Sequence, residues 1–101
     1  MKRLMVRYKV KADQVAANED LIREVFGELN RERPEGVRYA AFKLPDGQSF
    51  VHVVSIEASD DTNPLAALPA FKAFTADIRD RCEEPPAAFD LTEVGSYNFL
   101  R

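Results

Sequence analysis

The 101-residue chain holds one histidine, one cysteine, three tyrosines and no tryptophan, so few side chains can carry chemistry. His52 stands between Phe50 and Val54 in an apolar, alternating stretch. Imidazole titrates near neutrality, which makes it the natural general base or hydrogen-bond partner in a pocket. Burial there would disfavour the imidazolium and leave a neutral ring. The plainer reading is a structural histidine bonded to a neighbour. No serine or aspartate lies at a spacing that would build a nucleophilic triad with it. Tyr8, Tyr39 and Tyr97 could each orient a polar substrate while offering ring area, and could equally be strand packing with a hydroxyl at the rim. Phe71 and Phe74, at helical spacing, could roof a planar ligand or simply be core. Arg7 and Lys9 could hold an anionic ligand or be solvated. Cys82 has acidic neighbours, Glu83 and Glu84, that oppose a thiolate, so it reads as core.

The elements that position these residues follow from periodicity. Residues 3–11 alternate: Leu4, Val6, Tyr8 and Val10 share one face, a strand pattern. Asp13 is a candidate N-cap for a helix whose stripe is Val15, Ile22, Val25, Phe26 and Leu29, with Glu19 and Arg23 paired on its outer face. Pro34 and Gly36 end it. Residues 37–44 and 49–57 read as two strands joined by Pro45-Asp46-Gly47, a hairpin turn in which glycine tolerates positive φ. After a polar stretch at 58–63, Asn63-Pro64 opens a single turn at 64–68. A longer helix runs from about Pro69 to Cys82, with Asp77, Arg79, Arg81 and Glu83 on its wet side. Pro85-Pro86 closes it. Residues 91–100 are expected to form the last strand, with a bulge at Gly95.

The resulting order is βαββαβ. It predicts an α+β ferredoxin-like sandwich: a single domain over 1–101 with a four-stranded antiparallel sheet and two helices on one face. The other face would carry Met5, Arg7 and Lys9 of the first strand and one side of the third, either Phe50, His52, Val54 and Ile56 or Val51, Val53, Ser55 and Glu57, both largely apolar. A partly apolar face of this kind usually marks an interface. The chain is therefore expected to be a homodimer, its two sheets stacked as a dimeric α/β barrel.

Composition narrows the classes. The net charge is −3, without the basic excess of a nucleic-acid binder. One histidine and one cysteine leave soft-metal ligands scarce, and Glu83-Glu84 and Asp60-Asp61 do not show convergent geometry. Metal sites, nucleic-acid partners and membrane association are not expected. No apolar run nears the roughly 18 residues of a membrane span, and no signal-peptide pattern opens the chain, so a cytoplasmic location is expected.

Three motifs add a family resemblance. Pro34-Glu35-Gly36-Val37-Arg38-Tyr39, Pro45-Asp46-Gly47 and Leu68-Pro69-Ala70-Phe71-Lys72-Ala73-Phe74 resemble, in order and spacing over nearly the whole chain, the antibiotic biosynthesis monooxygenase-like group of the dimeric α/β-barrel superfamily. The resemblance implies a homodimer with a small-molecule pocket between sheet and helices, and oxidation of quinol-like or polycyclic aromatic substrates by oxygen with no metal, flavin or haem. The absence of tryptophan departs from the haem-degrading branch. Ala70 stands where many members carry histidine. On this reading His52 is the catalytic candidate, and Tyr39, Phe71, Phe74 and Tyr97 are the ligand-binding candidates. The alternative is a non-catalytic ligand-binding or accessory dimer, and a weaker one is a small isomerase or cyclase.

Overall fold

The computed structural model describes residues 2–57 and 64–99. The expectations for Asp60-Asp61 and for an Asn63 cap lie outside those residues. Strand β1 (Lys2–Val10) leads through a 3-10 turn at Ala12–Gln14 into α1 (Val15–Glu32). Asp13 therefore lies inside that turn rather than capping α1 by a side-chain hydrogen bond. The hairpin follows as β2 (Val37–Lys43) and β3 (Ser49–Ile56), then α2 (Pro69–Ala76), a short α3 (Ile78–Arg81) and β4 (Cys82–Asp90). The sheet is antiparallel with order β2-β3-β1-β4. This is the ferredoxin-like α+β arrangement expected from the sequence.

Two elements fall elsewhere than their patterns predict. The last strand is Cys82–Asp90, not 91–100. Pro85 and Pro86 cannot donate to a ladder, so they read as a stop. On the edge strand, however, they are tolerated. They sit at an irregularity where Arg7 pairs Ala87 and Lys9 pairs Glu84, which gives β4 one residue more than β1. Beyond β4 the chain keeps one ladder-like bond, Leu91 N–H to the Arg3 carbonyl. Val94, Tyr97 and Phe99 are then exposed, so Gly95 lies in no strand. The second difference is the long helix, which breaks at Asp77 (φ −118°, ψ 20°) into α2 and α3. Arg81 is buried rather than on the wet side, because it lies seven residues after Phe74 and shares its helical face.

The core lies between one sheet face and the helices. Tyr8, Val10, Phe50, Val54 and Ile56 of the strands meet Val25, Leu65, Leu68 and Phe74. One tertiary bond ties the two helices together. Pro69 opens α2 at a position that needs no N–H, and the Ala70 N–H donates to the Glu28 carboxylate of α1. In the hairpin, Asp46 accepts from the N–H groups of Gln48 and Ser49 and from the Ser49 hydroxyl, and these bonds hold its carboxyl well below the usual range, at about 2. Gly47 in that turn has φ 75°.

The opposite sheet face is uncovered. Register places Ala40, Val53, Met5 and Phe89 in one row across all four strands, and Phe42, Val51, Arg7 and Ala87 in the next. Phe42 and Phe89 are each 49% exposed.

Gly36 is the position least tolerant of a side chain. It has φ 76°, its carbonyl accepts from the Glu57 N–H, and a Cβ added there would come 2.8 Å from the Glu57 carbonyl oxygen. Left-handed backbone and a backbone clash combine against any other residue. Gly36→Ala is expected to destabilise the chain by about 1–3 kcal/mol, read as a lower urea midpoint at unchanged slope. An unchanged midpoint would show that the β2–β3 end can shift freely.

Candidate functional site

The site is assembled by sheet register. On the helix side, His52 of β3 lies opposite Ala41 of β2 and Val6 of β1. Both neighbours are small enough to leave room around the ring. Tyr39 pairs Val54 and Tyr8 pairs Phe50, so the two tyrosines stand on opposite diagonals of His52, within reach of long side chains. Their hydroxyls converge on it. Tyr8 Oη lies 2.8 Å from His52 Nε2, and Tyr39 Oη lies 2.6 Å from Nδ1. Both imidazole nitrogens are therefore engaged, and the ring is 4% exposed.

The polar chain continues into the helices. Asn18 of α1, fully buried, donates from Nδ2 to Tyr8 Oη at 3.0 Å. Its Oδ1 accepts from Arg81 Nε at 3.2 Å. The buried Arg81 also donates from Nη2 to the Phe74 carbonyl and lies 5.3 Å over the Phe74 ring. Arg81, Asn18, Tyr8, His52 and Tyr39 thus form one continuous line from α3 to β2. A buried polar group without a partner costs about 1–3 kcal/mol. Among the described residues no buried side-chain nitrogen or oxygen lacks one.

Aromatic rings wall this line. Phe74 stacks on His52 at 5.4 Å between centroids and 23° between planes. Phe71 meets Tyr39 at 6.4 Å, edge to face, and Phe26 meets Tyr39 at 5.1 Å. The structure therefore brings His52, Tyr39, Phe71 and Phe74 together. It does not bring Tyr97, which is 89% exposed beyond β4. Tyr8 is at the centre of the site, not at a rim. Asn18 and Arg81 escape periodicity-based reading because each occupies an apolar position: Asn18 falls between Val15 and Ile22, and Arg81 follows Phe74 and Ile78. A polar side chain at a stripe position is the signal that marks both.

Electrostatically the line is neutral except at Arg81. Burial pulls the His52 pKa down to about 4 and pushes both Tyr8 and Tyr39 far above the ordinary phenol range. An imidazole so weakly basic is a poor proton acceptor at pH 7. Its two hydroxyl partners stay protonated and can donate or accept.

Tyr39 also lines a cavity of about 220 Å³ with Phe26, Leu29, Asn30, Arg33, Pro34 and Val37. The lining mixes apolar side chains with the polar Asn30 and Arg33, and the volume is below the roughly 300 Å³ at which drug-sized pockets begin. Arg33 closes α1 in left-handed backbone (φ 47°), where glycine or asparagine is usual, and its N–H caps the Leu29 carbonyl. Among the described residues no group of three or more His, Cys, Asp or Glu could hold a metal, and no helix is long and apolar enough to cross a membrane.

Comparison with solved structures gives the same architecture. Rv0793 from Mycobacterium tuberculosis superposes with a TM-score of 0.75 at 17% identity, over 94% of this chain and 96% of that one. A protein solved as an antibiotic biosynthesis monooxygenase superposes with a TM-score of 0.76 at 16% identity, over 94% and 100%. The fold is that of the antibiotic biosynthesis monooxygenase-like proteins. NE2512 from Nitrosomonas europaea, of unknown function, shares it as well, with a TM-score of 0.72 at 18% identity over 95% and 91%. No protein-family model matches the chain, and no curated protein matches it in sequence. The likeness is therefore one of fold, which carries many functions.

The depressed His52 pKa has a measurable consequence. The folded value lies below the ordinary 6.5, so the unfolded chain takes up the proton first. The stabilisation is fully present above pH 6.5 and is lost as pH falls toward 4. It amounts to roughly 3 kcal/mol over that window. In urea unfolding, wild type should lose its advantage over His52→Gln across this interval. Parallel pH profiles for the two proteins would show that the fold does not hold the ring neutral.

Proposed function

We propose that the protein is a cytoplasmic homodimer that binds a small quinol-like or phenolic molecule beside Tyr39 and oxygenates it with molecular oxygen, using no metal, flavin or haem. The observation that carries this reading is Tyr39, which lines a cavity and whose hydroxyl is tied directly to His52. Oxygen reacts without a cofactor only if the substrate supplies the electrons, as an electron-rich anion can. A methylene activated by a phenolate then becomes a carbonyl, with one oxygen atom entering the product and the other leaving as water. The cavity would contribute apolar contacts from Phe26, Leu29 and Val37 and a hydrogen bond to the substrate oxygen. Its volume favours one ring over a polycyclic substrate.

One observation favours the second reading, a non-catalytic binder. Both His52 nitrogens are already bonded, and among the described residues no carboxylate lines the cavity. A substrate would have to arrive as its anion, and His52 would act only through Tyr39.

Turnover and binding should be measured with a panel of quinols, naphthols and anthrones. Tyr39→Phe, which keeps the ring, is expected to weaken turnover or binding by about 10- to 100-fold, the scale of one hydrogen bond to a charged oxygen. Turnover should rise with pH along the titration of each substrate's own phenol. Binding without turnover would select the accessory reading, and neither would remove both.

The dimer is expected to form through the uncovered sheet face, where the Ala40, Val53, Met5 and Phe89 row is apolar across its width. Light scattering should give twice the chain mass of 11.4 kDa. Val53→Asp should shift it toward the monomer. Wild type at the single-chain mass at micromolar concentration would remove the proposal.

A further inference from the structure

The chain from Arg81 to Tyr39 has a direction. Arginine has only donors, so the Asn18 atom facing Arg81 Nε must be the carbonyl oxygen, and the amide nitrogen must face Tyr8. Tyr8 Oη therefore accepts from Asn18. Its own proton needs an acceptor, and among the described residues His52 Nε2 is the one within reach. A neutral imidazole whose Nε2 accepts must carry its proton on Nδ1. That proton points at Tyr39 Oη, 2.6 Å away. Tyr39 then accepts from His52, and its own O–H is left to donate elsewhere, on a residue that lines the cavity.

We propose that Asn18 and Arg81 are positioning residues that fix this proton order, so that Tyr39 presents a donor and the site selects ligands bearing an acceptor oxygen, phenolate or carbonyl. The ligand half of this inference rests on the binding reading above; the proton order does not. Arg81 is held for its part by the Phe74 carbonyl and ring, so α3 anchors the end that sets the sequence of donors. Each bond in such a line polarises the next, and the cation at its head favours donation toward Tyr39.

Asn18→Asp should reverse the line. A carboxylate there still accepts from Arg81 but also accepts from the Tyr8 hydroxyl. Tyr8 Oη must then accept from His52 Nε2–H, Nδ1 becomes the acceptor, and the Tyr39 proton turns inward. The cavity would meet a lone pair instead of a donor.

His52 is the only histidine, so nitrogen-15 NMR of the imidazole reads the tautomer directly at pH 7. Wild type should show protonation at Nδ1, and Asn18→Asp protonation at Nε2. Nε2 protonation or an even mixture in wild type would overturn the proposal, and so would an unchanged tautomer in a folded Asn18→Asp protein. If that variant does not fold, Tyr8→Phe removes the donor to Nε2 and should abolish the preference for Nδ1. Retention of Nδ1 protonation there would equally overturn it. For selectivity, acetophenone offers only an acceptor oxygen and indole only a donor N–H. Wild type should favour acetophenone by about tenfold, the scale of one unmet hydrogen bond, and Asn18→Asp should favour indole. Equal affinities would overturn the selectivity. Failure of both probes to bind, with Nδ1 protonation intact, would remove the ligand reading and leave the proton order standing.

Discussion

A neutral imidazole with a phenol on each nitrogen is the constraint around which the helix side of the sheet is built. Buried and unpaired, either nitrogen would be costly; paired, the ring is held in place by two strands at once. The pairing depends on the antiparallel register of β2, β3 and β1. A slip of one residue would turn His52, Tyr8 and Tyr39 to opposite faces. The same register sets Ala41 and Val6 beside the ring, and larger residues there would push the tyrosines off their diagonals. Phe74 then closes the top by stacking. The core and the candidate site are one layer, not a scaffold with a site added.

The far end of the line shows how a cation is carried inside so small a core. Arg81 sits against a carbonyl, an amide oxygen and a ring face, which are partial negative charges. Its position follows from helical spacing, since residue 81 lies seven positions after Phe74 and shares its face. The end of α3 then feeds the chain straight into β4, whose first residues pair with the end of β1. One short stretch therefore carries the charged end of the site and starts the last strand.

Local rules made most of the architecture readable. Alternation located β1 and β3, the Pro45-Asp46-Gly47 turn joined the hairpin, and three-four spacing found α1. His52 between Phe50 and Val54, and Phe71 with Phe74 at helical spacing, were legible as candidates, but the stacking of Phe74 on His52 was not. What local rules misplace depends on context they do not contain. Pro85-Pro86 is a stop signal except on an edge strand with a bulge. Leu91, Val94, Tyr97 and Phe99 have strand composition but no partner strand in the single chain. Asn18 and Arg81 are polar residues at apolar positions, and their meaning lies in each other and in Tyr8, residues 10 to 63 positions apart.

The electrostatics decide what kind of help this site can give. The common expectation for a lone pocket histidine is a general base, and burial is often invoked because it keeps the ring neutral. Here burial goes further, and a ring with a pKa of about 4 is neutral at the expense of its affinity for protons. The phenols beside it are shifted in the opposite direction, so neither of them readily gives up a proton outright. A set of neutral groups that resist charging can still stabilise charge that develops on something else, because their dipoles are fixed before it forms. For a cofactor-free oxygenation that division of labour is consistent. In the proposed reaction the substrate would bring the electrons and the ionised oxygen, and the protein a fixed hydrogen-bond donor. The same fixed dipoles would serve a binder of phenolates, so catalysis on this fold would turn on one further property, the access of oxygen to a ligand held beside Tyr39.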